Sequence, residues 1–399
     1  MIYDYPVSSV ASLNKGVRIQ KFMTFRTGAV LALVLVSVIV APALVSAGAD
    51  AEDSAGDSYY RSQLDANALA VYDAVTSKFL ESTYDETVQI APVKFPEPVL
   101  CADAESAQAY ADLAVNSALA AKYYSSPESI WLWDLPITDV QVTADIGQVS
   151  VSGYQQQYSV VKSVSFSLTV PEEYRDPDNS TPDVNEVAVA VQEVRDAAAD
   201  LVYSGDVNEK VRQINQRLLN VKSAEDEEGT ISNIHDALVG GSSSSAGIAA
   251  AFTYLCSINN IQGLTVKGTV YTAFAGDSDA EATESHIGYW NVVYASSGEA
   301  SAWFATDVTC NTSSEECLMA GANTSVTIGK GLERFSATHV ADLDLASPNS
   351  LQQPNLSDGS YPYEDPSEQL IQYGSYILLA IITAIILYVV YMAAKRGDI

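Results

Sequence analysis

The sequence is poor in basic residues and in cysteine. Its 399 residues include 20 lysines and arginines against 50 aspartates and glutamates, so its formal net charge is −30. Nucleic-acid binding depends on Lys and Arg at the phosphates, and this negative excess argues against it. Four cysteines are too few for a disulfide-built fold. No CxxC pair, HExxH motif or glycine-rich phosphate loop occurs, and we predict neither a metal nor a cofactor.

An export signal is predicted near the N-terminus. Residues 27–47 form an uncharged, largely apolar stretch that follows several lysines and arginines and ends in Val45-Ser46-Ala47. A basic region, an apolar core and a small-residue ending are typical of a secretory signal peptide. We therefore predict that residues 1–47 are a signal peptide, with an uncleaved signal anchor as the alternative.

A second apolar segment lies near the C-terminus. Residues 376–394 contain no charge and are followed by Lys395 and Arg396. A helix of about 20 apolar residues spans the roughly 30 Å hydrocarbon core of a bilayer, and flanking basic residues mark its cytoplasmic side. We predict one transmembrane helix over 373–394 and a cytoplasmic tail over 395–399. The chain between the two apolar segments is then extracytoplasmic.

The extracytoplasmic part is predicted to be an α+β protein. Residues 58–82 and 103–123 carry apolar residues at helical spacing, whereas strands over 138–170 are indicated by alternation. Beyond a turn-rich boundary at 171–182 come two helices, a short helix, a buried small-residue helix over 246–258 and antiparallel strands. The predicted domains are an N-terminal helical and β extension over 48–182, a second domain over 183–345 and a polar stalk over 346–372.

Three blocks in the second half carry motifs that occur together in one family. Residues 234–268 read IHDALVGGSSSSAGIAAAFTYLCSINNIQGLTVKG, residues 288–293 read GYWNVV, and residues 303–309 read WFATDVT. A buried small-residue helix, an aromatic residue before Trp-Asn, and a Trp before Asp-x-Thr resemble blocks of the transglutaminase-like superfamily. The resemblance covers residues 58–330 and implies a papain-like core with a Cys-His-Asp triad.

The resemblance leaves only the acid of that triad in place. Asp307 takes the acid position, whereas Ser245 stands at the nucleophile and Gly288 at the histidine. A helix terminus lowers the pKa of a thiol, but a serine hydroxyl needs a positioned base. The resemblance therefore implies a degenerate triad and a non-catalytic module that binds protein, peptide or glycan. We predict that its groove is formed by Ser245, Gly288, Trp290, Asn291 and Asp307.

Two other functional interpretations remain open. His286 precedes the histidine position by two residues, and with Ser245 and Asp307 it makes a serine hydrolase or acyltransferase if a bulge corrects its placement. A purely structural envelope protein is the other alternative. In the non-catalytic interpretations, Ser245 simply caps the helix that begins at Ala246.

The cysteines are assigned to structure and not to chemistry. Cys310 and Cys317 flank a short loop directly after the Asp307 block, and we predict a local disulfide between them. Cys256 lies inside the apolar helix and is predicted to be buried, with a disulfide to Cys101 as an alternative.

The expected location is a cell surface, as a single-pass membrane protein of an archaeal or bacterial envelope. The Asn-x-Ser/Thr sequons are compatible with export and lie at Asn179, Asn311, Asn323 and Asn355. Two of the histidines, His235 and His339, receive no role.

Overall fold

The structure is a computed structural model in which both helices and antiparallel strands occur, as predicted. It describes residues 57–76, 87–130, 140–150, 157–170, 174, 186–223, 233–273, 284–297, 300–310, 315–329, 331–342 and 351–362. The predicted signal segment and transmembrane helix lie outside these ranges. Among the helices that the structure describes, none is long and apolar enough to span a bilayer.

The α-helices described in the N-terminal region are α1 (Asp57–Arg61), α2 (Ala66–Ala74) and α3 (Ala104–Ser125). The carboxylate of Asp65 accepts a hydrogen bond from the backbone N–H of Ala68, which starts α2 as a new helix. The helix predicted over 58–82 is therefore interrupted. The one predicted over 103–123 agrees closely with α3.

An antiparallel sheet accompanies these helices. Its strands are β1 (Thr87–Lys94), β2 (Leu100–Cys101), β3 (Val140–Ser150) and β4 (Gln157–Thr169). β4 is the central strand and pairs with the other three. Its alternate residues Val164, Phe166 and Leu168 are buried, which explains the two-residue period of the sequence.

The helices that follow are α4 (Glu186–Ala198), α5 (Val207–Leu218) and, after a π-helical turn over Asp236–Gly240, α6 (Ser245–Ile258). Asp206 and Glu209 form a reciprocal capping box at the start of α5. α6 is buried over nearly its whole length, because its small and apolar residues leave no polar face. The short strand β6 (Ser242–Ser243) directly precedes α6. It pairs in parallel with β5 (Lys222–Ser223), which follows α5.

The remaining strands position the candidate site. They are β7 (Gly263–Ala273), β8 (Glu284–Ser297), β9 (Ala300–Thr306), β10 (Ser325–Ile328), β11 (Gly331–Arg334) and β12 (His339–Ala341). One antiparallel sheet has the order β12-β7-β8-β9, and β10 and β11 form a separate hairpin. A single helical turn, α7 (Phe335–Thr338), leads from this hairpin into β12.

Residues on both sides of the predicted domain boundary at 182 share one core. Tyr60, which is fully buried in α1, donates a hydrogen bond of 3.1 Å to the carbonyl oxygen of Thr265 in β7. The N-terminal region therefore packs directly on the sheet that carries the candidate site.

Residues 351–362 lie along the outer edge of β9. The backbone N–H of Ser357 donates to the carbonyl oxygen of Trp303 at 2.8 Å, and the hydroxyl of Tyr361 donates to the carbonyl oxygen of Ser296 at 2.8 Å. The prediction of a polar stalk over 346–372 is therefore wrong for these residues. Leu351, Leu356 and Tyr361 supply apolar surface that packs against the core, which a solvated linker would not.

Candidate functional site

A row of three residues crosses the sheet at the candidate site. Val270 in the middle of the row pairs with His339 of β12 on one side and with His286 of β8 on the other. Residues paired across strands face the same side of a sheet. The two imidazoles therefore lie on one face, separated by the width of β7.

Asp307 directly follows β9 and contacts His339 from the far edge of the sheet. Oδ2 of Asp307 lies 3.0 Å from Nε2 of His339, and each of the two side chains is 2% exposed. Oδ1 accepts hydrogen bonds from the backbone N–H and hydroxyl of Thr309, at 2.8 and 2.6 Å, and from the N–H of Cys310 at 3.3 Å. Both carboxylate oxygens are therefore occupied.

These contacts determine the charge of Asp307. Burial alone raises the pKa of this carboxyl group, but the hydrogen bond and charge of His339, with the hydrogen bonds of Thr309 and Cys310, outweigh it. The pKa of Asp307 is therefore below its ordinary value, and the group is a carboxylate at neutral pH. Because a carboxylate only accepts, Nε2 of His339 must donate to it.

The second ring nitrogen of His339 is also engaged. Nδ1 lies 2.7 Å from Oγ1 of Thr338, and that hydroxyl donates to the carbonyl oxygen of Phe335 at 3.0 Å. Both ring nitrogens of His339 therefore have hydrogen-bond partners inside the protein. The ring stacks on Phe335 at a centroid distance of 4.0 Å and meets the edge of Trp290 at 5.2 Å.

A cavity of about 240 Å³ opens beside this pair. Its walls come from the end of β7, the start of β8, the segment after β9 and the β10–β11 hairpin, and they include His286, Asp307, Thr309, Cys310 and His339. His286 is exposed whereas Asp307 and His339 are buried. The cavity therefore has an accessible histidine at its rim and a buried ion pair on its inner wall.

Ser245 is the first residue of α6, one residue earlier than expected. The N-cap of the helix is Ser244, and its side chain makes no capping hydrogen bond. The expectation that Ser245 caps a helix beginning at Ala246 is therefore wrong, because the extended backbone that defines an N-cap occurs at Ser244. Ser245 is not among the described residues that line the cavity, whereas His286 and Asp307 both line it.

Gly288 has no room for a larger side chain. A Cβ atom built on it would lie 2.5 Å from Cγ2 of Val270, which pairs with His339 and His286. The side-chain space at the position predicted to match the family's histidine is thus filled by a valine of the neighbouring strand. The basic partner of Asp307 comes from β12 instead.

Trp290 and Asn291 are core residues, each about 1% exposed. The amide Nδ2 of Asn291 donates to the carbonyl oxygen of Ala249 at 2.9 Å and to Oγ1 of Thr253 at 3.0 Å, which ties α6 to β8. Burial of both side chains removes them from any open surface. The prediction that they line a groove is therefore wrong, and of that predicted set only Asp307 lines the described cavity.

The four cysteines form one disulfide and two free thiols. Cys310 and Cys317 form the expected local disulfide. Cys101 and Cys256 are both free and buried, so the alternative bond between them is absent. Burial raises the pKa of the Cys256 thiol far above its ordinary value, because the thiolate would have no compensating charge or hydrogen bond in the apolar helix.

The structure also bears on possible metal ligands and on the sequons. Within the described ranges, no group of three or more His, Cys, Asp or Glu side chains is placed to hold a metal ion. The sequon residues Asn323 and Asn355 are exposed, whereas Asn179 and Asn311 lie outside the described residues.

His339 is the residue that the sequence did not identify. Its signal was indirect: a buried carboxylate such as Asp307 needs a cationic partner, and the chain has only three histidines. In the structure His235 is bonded to Glu193 at 2.8 Å and His286 is exposed. His339 is the histidine that contacts Asp307.

Comparisons with known proteins give structural neighbours only. No model of a protein family matches the chain, and no curated protein does. Solved structures that it resembles include transglutaminase-like and cysteine-protease-like proteins. These similarities have TM-scores well below 0.5, so any function must be inferred from the residues of this chain.

Three of these neighbours have TM-scores of 0.23 to 0.24. A TGase has a TM-score of 0.23 and 13% identity, and the match covers 42% of this chain and 44% of the TGase. The periplasmic domain of TgpA from Pseudomonas aeruginosa, bound to ethylmercury, has a TM-score of 0.24 and 15% identity, covering 46% and 68%. A candidate cysteine protease from Cytophaga hutchinsonii has a TM-score of 0.23 and 13% identity, covering 58% and 86%. The chain thus spans less than half the length of the first.

Proposed function

We propose that the protein is a non-catalytic, transglutaminase-like binding module displayed on a cell surface. The observation that carries this proposal is the buried His339–Asp307 pair, in which both ring nitrogens of His339 are already bonded inside the protein. A general base needs a ring nitrogen that reaches the proton of a nucleophile. His339 offers none, and its neighbour Thr338 is fully buried and cannot reach a substrate.

The remaining candidate nucleophiles also argue for binding without catalysis. Ser245 does not line the described cavity, and the buried Cys256 thiol resists ionisation. Asp307 directs its two oxygens to His339, Thr309 and Cys310, so it does not orient His286. A serine hydrolase built from Ser245, His286 and Asp307 would therefore lack its base–acid contact.

The cavity suits a small ligand or one segment of a larger one. Its volume of about 240 Å³ lies below the roughly 300–1,000 Å³ of sites that enclose drug-sized molecules. The apolar side chains of Val270, Val326 and Ile328 face it together with the imidazole of His286. We propose that it holds one side chain of a peptide or protein, or one sugar ring of a glycan.

Membrane display is the second part of the proposal. An export signal over residues 1–47 and an apolar segment over 373–394 would place the cavity outside the cell and attach it to the bilayer. Fractionation of cells that express the full chain tests this. We expect the protein in the membrane fraction after alkaline carbonate washing, and release into the medium when residues 373–399 are deleted. Full-length protein in the soluble fraction would contradict it.

Activity-based labelling tests the absence of catalysis. The full chain, exposed to a fluorophosphonate probe for serine and to iodoacetamide for thiols, is expected to remain unlabelled under native conditions. Unfolding with denaturant should then expose Cys101 and Cys256 to iodoacetamide, which serves as a positive control. Fluorophosphonate labelling that disappears in Ser245→Ala would overturn the proposal in favour of the hydrolase.

Ligand-observed NMR tests the binding. A panel of N-acetylated amino-acid amides and monosaccharides is screened by saturation transfer, with Val270→Phe as a variant that fills the cavity. Val340→Phe is the matched control, because Val340 lies on the adjacent strand and is 45% exposed. We expect binding by at least one compound, loss in Val270→Phe and retention in Val340→Phe. Absence of binding across the panel, or equal binding by both variants, would contradict the proposal.

A further inference from the structure

Both cysteines of the Cys310–Cys317 disulfide form hydrogen bonds with Asp307. The backbone N–H of Asp307 donates to the carbonyl oxygen of Cys317 at 3.0 Å. The backbone N–H of Cys310 donates to the carboxylate of Asp307 at 3.3 Å. Both cysteines of the disulfide thus form backbone hydrogen bonds with the acid of the buried pair.

The two halves differ in what else holds them. On the Cys317 side, Glu315 forms an ion pair with Arg212 of α5. Its neighbour Glu316 accepts hydrogen bonds from the N–H and hydroxyl of Thr327 in β10, at 2.7 and 3.0 Å. These contacts do not depend on the disulfide, so this side of the loop remains attached to the domain without it.

The Cys310 side is the less firmly held of the two. Cys310 is partly exposed and lines the cavity, whereas Cys317 is fully buried. The described hydrogen bonds of Thr309 and Cys310 run to Asp307, and Cys310 is otherwise attached by the disulfide and by packing against the core. Reduction therefore removes a covalent restraint from the residues that donate to Oδ1 of Asp307.

We infer that the Cys310–Cys317 disulfide positions the carboxylate of Asp307, and with it the inner wall of the cavity, so that the oxidised protein is the form that binds the ligand. The inference rests on the proposed binding function. The chemical step is an exchange with a dithiol reductant: the S–S bond breaks, two cysteine thiols form, and the reductant supplies two electrons and two protons and closes to its cyclic disulfide.

Histidine NMR of the full chain in detergent micelles tests the positioning role without any ligand. Long-range ¹H–¹⁵N correlations report the protonation and hydrogen bonding of each ring nitrogen, and His339→Gln identifies the signals of His339. On treatment with dithiothreitol, we expect these signals to shift toward their positions in Asp307→Asn, with the far-UV circular dichroism retained. Reoxidation should restore them. Unchanged His339 signals in the reduced protein, or a global loss of circular dichroism, would overturn the inference.

Two variants separate this disulfide from other thiol effects. The double variant Cys310→Ser/Cys317→Ser should show the reduced-state His339 signals with or without dithiothreitol. Cys101→Ser, which removes a buried free thiol, should respond to dithiothreitol as the unmodified protein does. A dithiothreitol response that persists in the double variant would assign the effect elsewhere and overturn the inference.

The binding panel distinguishes failure of this inference from failure of the proposed function. Equal binding by the oxidised and reduced protein would overturn the inference and leave the binding function in place. Shifted His339 signals without binding in either form would remove the binding function and leave the positioning role. Binding in the oxidised form alone, lost in the double variant, supports both.

Discussion

The imidazole of His339 and the carboxylate of Asp307 are joined by a hydrogen bond of 3.0 Å, although they belong to opposite edges of the β12-β7-β8-β9 sheet. His339 opens β12, and Asp307 follows the last residue of β9. The contact therefore links the two edge strands across the face of the sheet on which Trp290 lies. This contact stabilises both edge strands, so removal of either side chain should destabilise both of them.

His339→Gln should lower the free energy of unfolding by about 3–5 kcal/mol, because it leaves the buried Asp307 carboxylate without its cationic partner. Urea denaturation at neutral pH measures the change. The matched control is His286→Gln, a change of the same kind at an exposed histidine, which should stay within about 0.5 kcal/mol of the unmodified protein. Equal effects of the two substitutions would show that the His339–Asp307 contact does not support the fold.

Asp307 also predicts how stability depends on pH. Its pKa is lowered in the folded protein, so the unfolded state binds more protons in acid, and the contribution is present above the unfolded pKa of about 3.9. It is lost as the pH falls through the folded pKa. The stability difference between the unmodified protein and Asp307→Asn, measured by urea unfolding between about pH 2 and pH 7, should therefore shrink in acid. A difference that stays constant would contradict an ionised Asp307.

Much of the second half could be predicted from the sequence, because its signals are local. The run of small apolar residues predicted a buried helix over 246–258, and the structure has α6 over Ser245–Ile258. Strands were likewise predicted from their composition and two-residue period. The start of α6 was misplaced by one residue because four consecutive serines at 242–245 offer equivalent caps, and only the backbone conformation chooses among them.

The candidate site was harder to predict because its contacts are not local. His339 and Asp307 are 32 residues apart, and β12 has three residues, too few for a periodic pattern. Residues 351–362 were predicted as stalk because they lie in a longer stretch, 346–372, that is rich in Pro, Ser and Asn. Their hydrogen bonds to Trp303 of β9 and Ser296 of β8 depend on a pair of strands that exists only after the sheet has formed.

Asn291→Ala should destabilise the protein by about 1–3 kcal/mol, since the carbonyl oxygen of Ala249 and the hydroxyl of Thr253 each lose a buried hydrogen-bond donor. Thermal and urea unfolding measure the loss. Asn323→Ala is the control, because Asn323 is exposed and the same truncation there should be nearly neutral. If both asparagines proved equally tolerant, the tie between α6 and β8 would contribute nothing to stability.

Gly288→Ala should cost about 1–3 kcal/mol, because the added methyl group would press against Cγ2 of Val270 at 2.5 Å. Val270→Ala removes that atom, so the double variant should recover part of the loss, and a double-mutant cycle with urea unfolding measures the coupling. The coupling distinguishes steric crowding from a backbone need for glycine, which Val270→Ala would not relieve. Additive effects would mean that crowding by Val270 does not explain the cost of a side chain at position 288.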